Sequence, residues 1–456
     1  MSGRGVWMRG FLGMAAAICC VVGSAWSPAL AGPTLQARRT VLPNGLIVIA
    51  LEDRLLPTVA YHTVFRAGSR NERPGITGIS HLLEHMMFNG SEKFPPKAFD
   101  RLIEAGGGYA NAGTGTDHTE FFQEFSSAAL DTILQLEADR MRALRIDRAN
   151  LEQERAIVKE ERRAASDDSV EGAMAELLWA GAFHAHPYRW PIFGHMADLS
   201  AIRLEDVRAY YRTFYAPNNA VVVVVGDIRP EPLFARMRAL FGGIPRRPAP
   251  PRVVNAETPQ RGERRLELRR PAQLPALLVG YKVGSFRHRD DAALDVLSII
   301  LSRGESSRLY RALVAEQRVA VAAWAANDSR LDAGLFTISV QAQAGRTAAE
   351  CEQALDRVLA DVIANGVTER EVEAARNALR SSKAMALATN IGRARMLADA
   401  EVYRGSWRRY GDHLAARERV TPADVQRVAR AYLNPARRTV VTLVPETSRS
   451  PEAHVR

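Results

Sequence analysis

Gly75-Ile76-Thr77-Gly78-Ile79-Ser80-His81-Leu82-Leu83-Glu84-His85-Met86-Met87-Phe88-Asn89-Gly90 sets two histidines and one glutamate into a largely apolar stretch. On a helix, residues four apart share a face, so His81 and His85 can offer both imidazoles to one ion. Glu84 comes three residues after His81 and one before His85, which puts its carboxylate beside that ion without requiring it to ligate. A solvated polar face on a surface helix is the alternative. The apolar neighbours argue against it, because a His-Glu-His group among them is costly without a partner.

The order H-x-x-E-H is the inverted counterpart of the H-E-x-x-H turn of zinc peptidases. Two histidines leave a catalytic zinc site one protein ligand short, since such a site uses three and keeps a position open for water. A third ligand is therefore expected elsewhere in the chain.

Outward from this turn, the chain divides near Ile244-Pro245-Arg246-Arg247-Pro248-Ala249-Pro250-Pro251, a proline-dense stretch that reads as an extended linker over residues 244–264. The segments on either side look related. Val207 and Val425, like Pro217 and Pro435, lie 218 positions apart, and each pair leads into a β-branched run, Ala220–Val225 or Thr439–Val444. A lag held across a helix, a proline break and a strand points to duplication of a whole domain. The expected domains are residues 32–243 and 265–456.

Each half mixes strands with helices. Gly45–Leu51 and Thr58–Phe65 read as strands, and Ile79–Asn89, Pro96–Ala105 and Leu130–Leu144 as helices. In the second half Ala276–Val283 and Gly334–Gln343 read as strands. Asp290–Ser302, Thr347–Asn365 and Thr368–Leu387 read as helices. The fold class is α+β, used twice.

The chain has 456 residues, with 61 basic and 51 acidic side chains. Arg4 and Arg9, the apolar run Phe11–Trp26 and Ala29-Leu30-Ala31 make an export signal over residues 1–31, with cleavage after Ala31 and no stable membrane anchor. The basic excess is spread along the chain and aromatics are only 7%, so nothing marks a nucleic-acid surface. Cys351 alone survives cleavage and reads as a small buried residue, not a nucleophile.

Gly78 to Gly90 resembles the metal helix of the M16 (pitrilysin/insulinase) peptidases, the family that includes the mitochondrial processing peptidases. The resemblance covers nearly all of residues 37–446. It implies two homologous domains of the LuxS/MPP-like type, each an antiparallel-rich sheet packed with helices. One Zn²⁺ per chain would be held by His81, His85 and Glu161, which follows His85 by 76 residues in Glu154-Arg155-Ala156-Ile157-Val158-Lys159-Glu160-Glu161. Only the spacing singles out Glu161, and Glu160 is its rival. Glu154 fits the family's supporting acidic residue, and Asn150 with Gln153 makes a plausible cap for this helix.

Glu84 takes the role of general base. Asn111–Phe121 resembles the active-site edge strand, which makes Asn111, Ala112 and Thr114 the candidate substrate-binding residues, and strand addition suits broad peptide specificity. His186-Pro187-Tyr188-Arg189-Trp190-Pro191 with Gly194 resembles the loop beneath the metal helix, so His184, His186 and His195 read as structural.

One departure stands out. The family's substrate-holding Arg and Tyr, seven residues apart, would fall at Val314 and Val321, or at Ala315 and Ala322. Arg308 and Tyr310 are only two apart and read as part of their own helix. The implied arrangement is a periplasmic heterodimer with a homologous M16 subunit that lacks the zinc motif but supplies Arg and Tyr, ahead of a homodimer. A non-catalytic assembly subunit or a chaperone-like peptide-binding clamp is the alternative.

Overall fold

Two sheets share one strand order. The computed structural model describes residues 35–254 and 257–446, so the export signal expected over residues 1–31 lies outside the described residues. Strands β1 (Arg38–Val41), β2 (Ile47–Glu52), β3 (Thr58–Phe65), β4 (Tyr109–Thr114), β5 (Thr119–Ser126) and β6 (Ala220–Gly226) make the first sheet, ordered β1-β2-β6-β3-β5-β4. Strands β7 (Arg264–Pro271), β8 (Ala276–Val283), β9 (Ala320–Ser329), β10 (Gly334–Ala342) and β11 (Arg438–Glu446) make the second, ordered β7-β11-β8-β10-β9. With β1 set aside, each strand has a counterpart. In both sheets the last strand in sequence lies parallel to the first of the set and antiparallel to the second.

The helices of the first half are α1 (Ile79–Met86), α2 (Ala98–Ala105), α3 (Leu130–Ala143), α4 (Arg148–Arg162), α5 (Val170–Ala182), α6 (Met196–Ala201), α7 (Leu204–Phe214) and α8 (Pro230–Phe241). Those of the second half are α9 (Asp291–Ser302), α10 (Ala348–Asn365), α11 (Glu369–Leu387), α12 (Asn390–Arg404), α13 (Asp412–Glu418) and α14 (Pro422–Tyr432). The 218-residue lag carries α7 onto α14 and β3 onto β8, end for end. Local signals fix several starts: Thr347, Thr368 and Thr421 each close a capping box with an acid three residues on. The cap expected from Asn150 and Gln153 is wrong. Asp147 caps α4 one turn earlier by accepting the Asn150 N–H at 2.9 Å.

Each sheet packs one face against helices of its own half. The first core runs from Leu46 and Val48 through Leu82, Leu83 and Met86 to Val207 and Met237. The second joins Leu277, Val279 and Phe336 to Leu297, Leu355 and Val428. The opposite faces are covered by an exchange. Helix α5, from the first half, lies on the second sheet, where Met174, Leu178 and Ala182 pack with Leu278, Leu335, Val441 and Leu443. Helix α12, from the second half, lies on β3 and β6 and buries Ala394, Leu397 and Ala398. The 218-residue lag maps residues 170–182 onto 388–400, so the two crossing helices are themselves counterparts.

This exchange explains why β6 is buried at every position rather than at alternate ones: helices cover both of its faces. It also explains Gly280, where a Cβ would stand 3.1 Å from the Leu178 side chain.

Candidate metal centre

Helix α1 is short and almost wholly buried, and its N-cap is Gly78 at φ 87°, a left-handed conformation that suits glycine. A side chain there would meet the Phe193 carbonyl oxygen at 2.5 Å, because Phe193 and Gly194 press directly against Thr77 and Gly78. The loop that resembles the one beneath the family's metal helix therefore lies against this turn. The Phe193 ring stands edge-on to His81 with centroids 4.9 Å apart.

Nε2 of His81 lies 3.6 Å from Glu161 Oε2, and Nε2 of His85 lies 3.2 Å from the same oxygen. The donor atoms of the three side chains all lie within 4.8 Å of one another. Glu161 reaches in from α4 while staying 42% exposed. Its rival Glu160 is 71% exposed and pairs with Arg163 instead. Seven residues before Glu161 on the same helix, Glu154 holds His85 Nδ1 at 3.3 Å through Oε2 and accepts the Asn89 amide at 2.6 Å through Oε1. This fixes the His85 ring so that Nε2 faces the cluster.

The electrostatics suit a cation. Burial, helped by the neighbouring His85, pushes the His81 pKa down to about 3, which keeps that ring neutral with a free lone pair. Burial opposes charge on His85 too, but its bond to Glu154 and the nearby Glu161 and Glu84 outweigh burial and raise it. Two imidazoles and one carboxylate are the ligand set of a catalytic zinc site, and Glu154 behind His85 is the kind of outer partner that orients such a ligand. The residues present fit zinc.

Glu84 sits beside the three, 8% exposed, and accepts the Thr114 hydroxyl at 2.6 Å. Burial raises its pKa above the ordinary carboxylate value, and the Thr114 bond offsets part of that rise. Thr114 ends β4, an edge strand of the first sheet, with Thr119 opposite it. The stretch Asn111–Phe121, expected as one edge strand, is instead the end of β4, a turn and the start of β5. The three candidate substrate contacts separate here. Thr114 touches the base, Asn111 is exposed with its Oδ1 on the Ala112 N–H, and Ala112 packs its side chain toward the core.

The other histidines of the loop do not gather. His186 Nε2 lies 3.0 Å from Asp332, and His195 Nδ1 lies 3.9 Å from Glu176. A second acidic group, Asp291, Asp295 and His413, does converge, but Arg417 Nε closes it at 2.8 Å from Asp295. Arg308 is committed to Glu371 at 2.7 Å and to Asp361 at 2.9 Å. Val314 packs against the second core, while Val321 is exposed on β9. Cys351 is fully buried, its thiol pushed up to about 11 by burial.

Sequence reasoning passed over four residues around the turn. Glu72 and Asp198 bond the backbone leading into α1, Tyr210 bonds the Ser80 hydroxyl, and Asn89 steadies Glu154. Only Asn89 had a signal within reach, its place one turn after His85.

Residues 48–195 match the family model of the insulinase-type M16 peptidases, and residues 201–379 match the model described as the M16 peptidase inactive domain. The chain belongs to the M16 peptidase family. A zinc protease of Helicobacter pylori named PqqE is 33% identical over 299 residues, 65% of this chain and 67% of that protein. The crystal structure of a protease from Helicobacter pylori superposes with a TM-score of 0.87 at 28% identity, over 91% of this chain and all of that one. The periplasmic protease PqqL of Escherichia coli shares the fold, with a TM-score of 0.75 at 16% identity over 91% of this chain and 48% of that chain.

Proposed function

We propose that this M16 chain is an exported zinc endopeptidase that cleaves peptides or unfolded polypeptide segments inside a closed chamber. The observation that carries the proposal is the convergence of His81, His85 and Glu161 with Glu84 at their side. A zinc ion held there supplies Lewis acidity to the attacking water and to the scissile carbonyl. Glu84 accepts the water's proton and returns it to the leaving amine, a task suited to a carboxylate whose pKa burial has raised. Thr114 holds Glu84 in place, and β4 offers its free edge to the substrate backbone, so that main chain rather than side chain sets most of the binding.

The site works with a homologous partner that supplies Arg and Tyr, because Val314 and Val321 cannot hold a substrate carbonyl and Arg308 is tied to two acids. Export to the periplasm is supported by the sequence of residues 1–31 and by PqqL, described as a periplasmic protease. Among the described residues no helix is long and apolar enough to cross a membrane.

The test is the Glu84→Gln variant, assayed on an unstructured peptide with the partner present. Zinc content should stay near one per chain while turnover falls by roughly 10²–10⁴-fold. Equal turnover in variant and wild type would sink the peptidase mechanism. The second reading, a peptide-binding or assembly subunit, is favoured by Val314 and Val321, which stand where the resemblance expects the substrate-holding Arg and Tyr. It predicts bound peptide recovered uncut from the zinc-loaded wild type.

A further inference from the structure

The chain between β3 and α1 carries a carboxylate that neither the metal nor the base requires. Glu72 is 6% exposed, with Oε2 accepting the Gly78 N–H at 2.8 Å and Oε1 accepting the Ser80 N–H at 2.9 Å. Helix α1 has no side-chain cap of its own, since its N-cap is a glycine. The first N–H groups of a helix have no intrahelical acceptor, so they need one from elsewhere. Here one carboxyl group serves two of them, immediately before His81.

The segment that carries Glu72 is bonded on its other side to the substrate-edge hairpin. Ser69 N–H donates to Gly115 O at 3.2 Å and Arg70 N–H donates to Thr116 O at 3.0 Å, both in the β4–β5 turn. A Cβ on Gly68 would come within 2.5 Å of Gly115 O, so the contact is close-packed. Trp190 Nε1 holds Ser69 O at 2.9 Å from the loop beneath. Five residues, Gly68 to Glu72, therefore brace the turn bearing His81, Glu84 and His85 against the strand that ends in Thr114.

We infer that Glu72 is a positioning residue: its two oxygens set the height of the metal turn relative to the edge strand, and so the geometry of the His81–His85–Glu161 site. The inference rests on the zinc reading proposed above. A glutamine keeps the shape of Glu72 but turns an NH₂ group toward a backbone N–H, while an alanine removes both acceptors.

The experiment compares wild type, Glu72→Gln and Glu72→Ala in the full chain by three readouts. These are the melting temperature of the apo-protein, zinc affinity by chelator competition, and the visible absorption of the cobalt-substituted protein. The expected result is an apo-protein that still melts cooperatively, zinc affinity weakened by roughly 10–100-fold, and an altered cobalt spectrum in both variants. Unchanged zinc affinity and an unchanged cobalt spectrum would overturn the inference while leaving the zinc reading intact. Failure of both variants to fold would also overturn it, because Glu72 would then determine folding rather than site geometry. A wild type that takes up no zinc overturns the zinc reading, and this inference with it.

Discussion

At Glu257 one carboxylate gathers the N–H groups of His184, Ala185 and His186 at 2.9–3.1 Å and the Lys282 ammonium at 3.1 Å. Partial burial alone would raise its pKa, but those donors overcome the burial and hold it at about 2, below the ordinary 4.5. The sign follows. A carboxylate depressed by folding stabilises the fold above its unfolded pKa, and that contribution fades as pH falls toward the folded value. Here the window runs from about 4.5 down to about 2. The loop so anchored leads to Phe193 and Gly194 under the metal turn. Wild type should therefore melt above Glu257→Gln at about pH 6, with the gap narrowing below about pH 4. A gap that is constant across that range would refute the assignment.

Among the elements, α5 and α12 decide most about how the halves hold together. Leu178 is 1% exposed and seats over Gly280 with Leu278, Leu335 and Val441 around it. Truncating it leaves a cavity between a helix of one half and a sheet of the other. Leu178→Ala should cost about 2–5 kcal/mol in denaturant unfolding, with both halves unfolding together. A loss below about 1 kcal/mol would mean that the exchanged helix contributes little to the assembly of the two halves. The helix starts at Thr347 and Thr368 were legible in the sequence, and at each a capping box joins the threonine to an acid three residues on, whereas the start of α4 at Asp147 was not. The exchange was not, since an apolar helix face does not state which sheet it will cover.

For the whole molecule, the absent Arg and Tyr predict that the chain works in company. Purified alone, it should bind zinc but cleave an unstructured peptide slowly. Adding the homologue that carries Arg and Tyr should raise turnover by roughly a hundredfold or more, and sedimentation should show a one-to-one complex. Full turnover from the isolated chain would leave the zinc site in place and remove the two-subunit reading.

The sequence by itself determined the strands β2, β3, β6, β8, β10 and β11, the helix of the metal turn, the duplication and the identity of the chemical groups. Those properties reside in spacing along the chain: four residues between the histidines, seven between Glu154 and Glu161, and a constant 218 between counterparts. Only the tertiary structure decided which acid of α4 turns inward, Glu161 rather than Glu160, because neighbours on a helix face differ by a rotation that spacing to a distant turn does not settle. It also decided that Thr114 grips the base and that α5 and α12 change places. The brace through Glu72 belongs to the same class, since a carboxylate bonded to backbone N–H groups leaves no pattern of side chains to read.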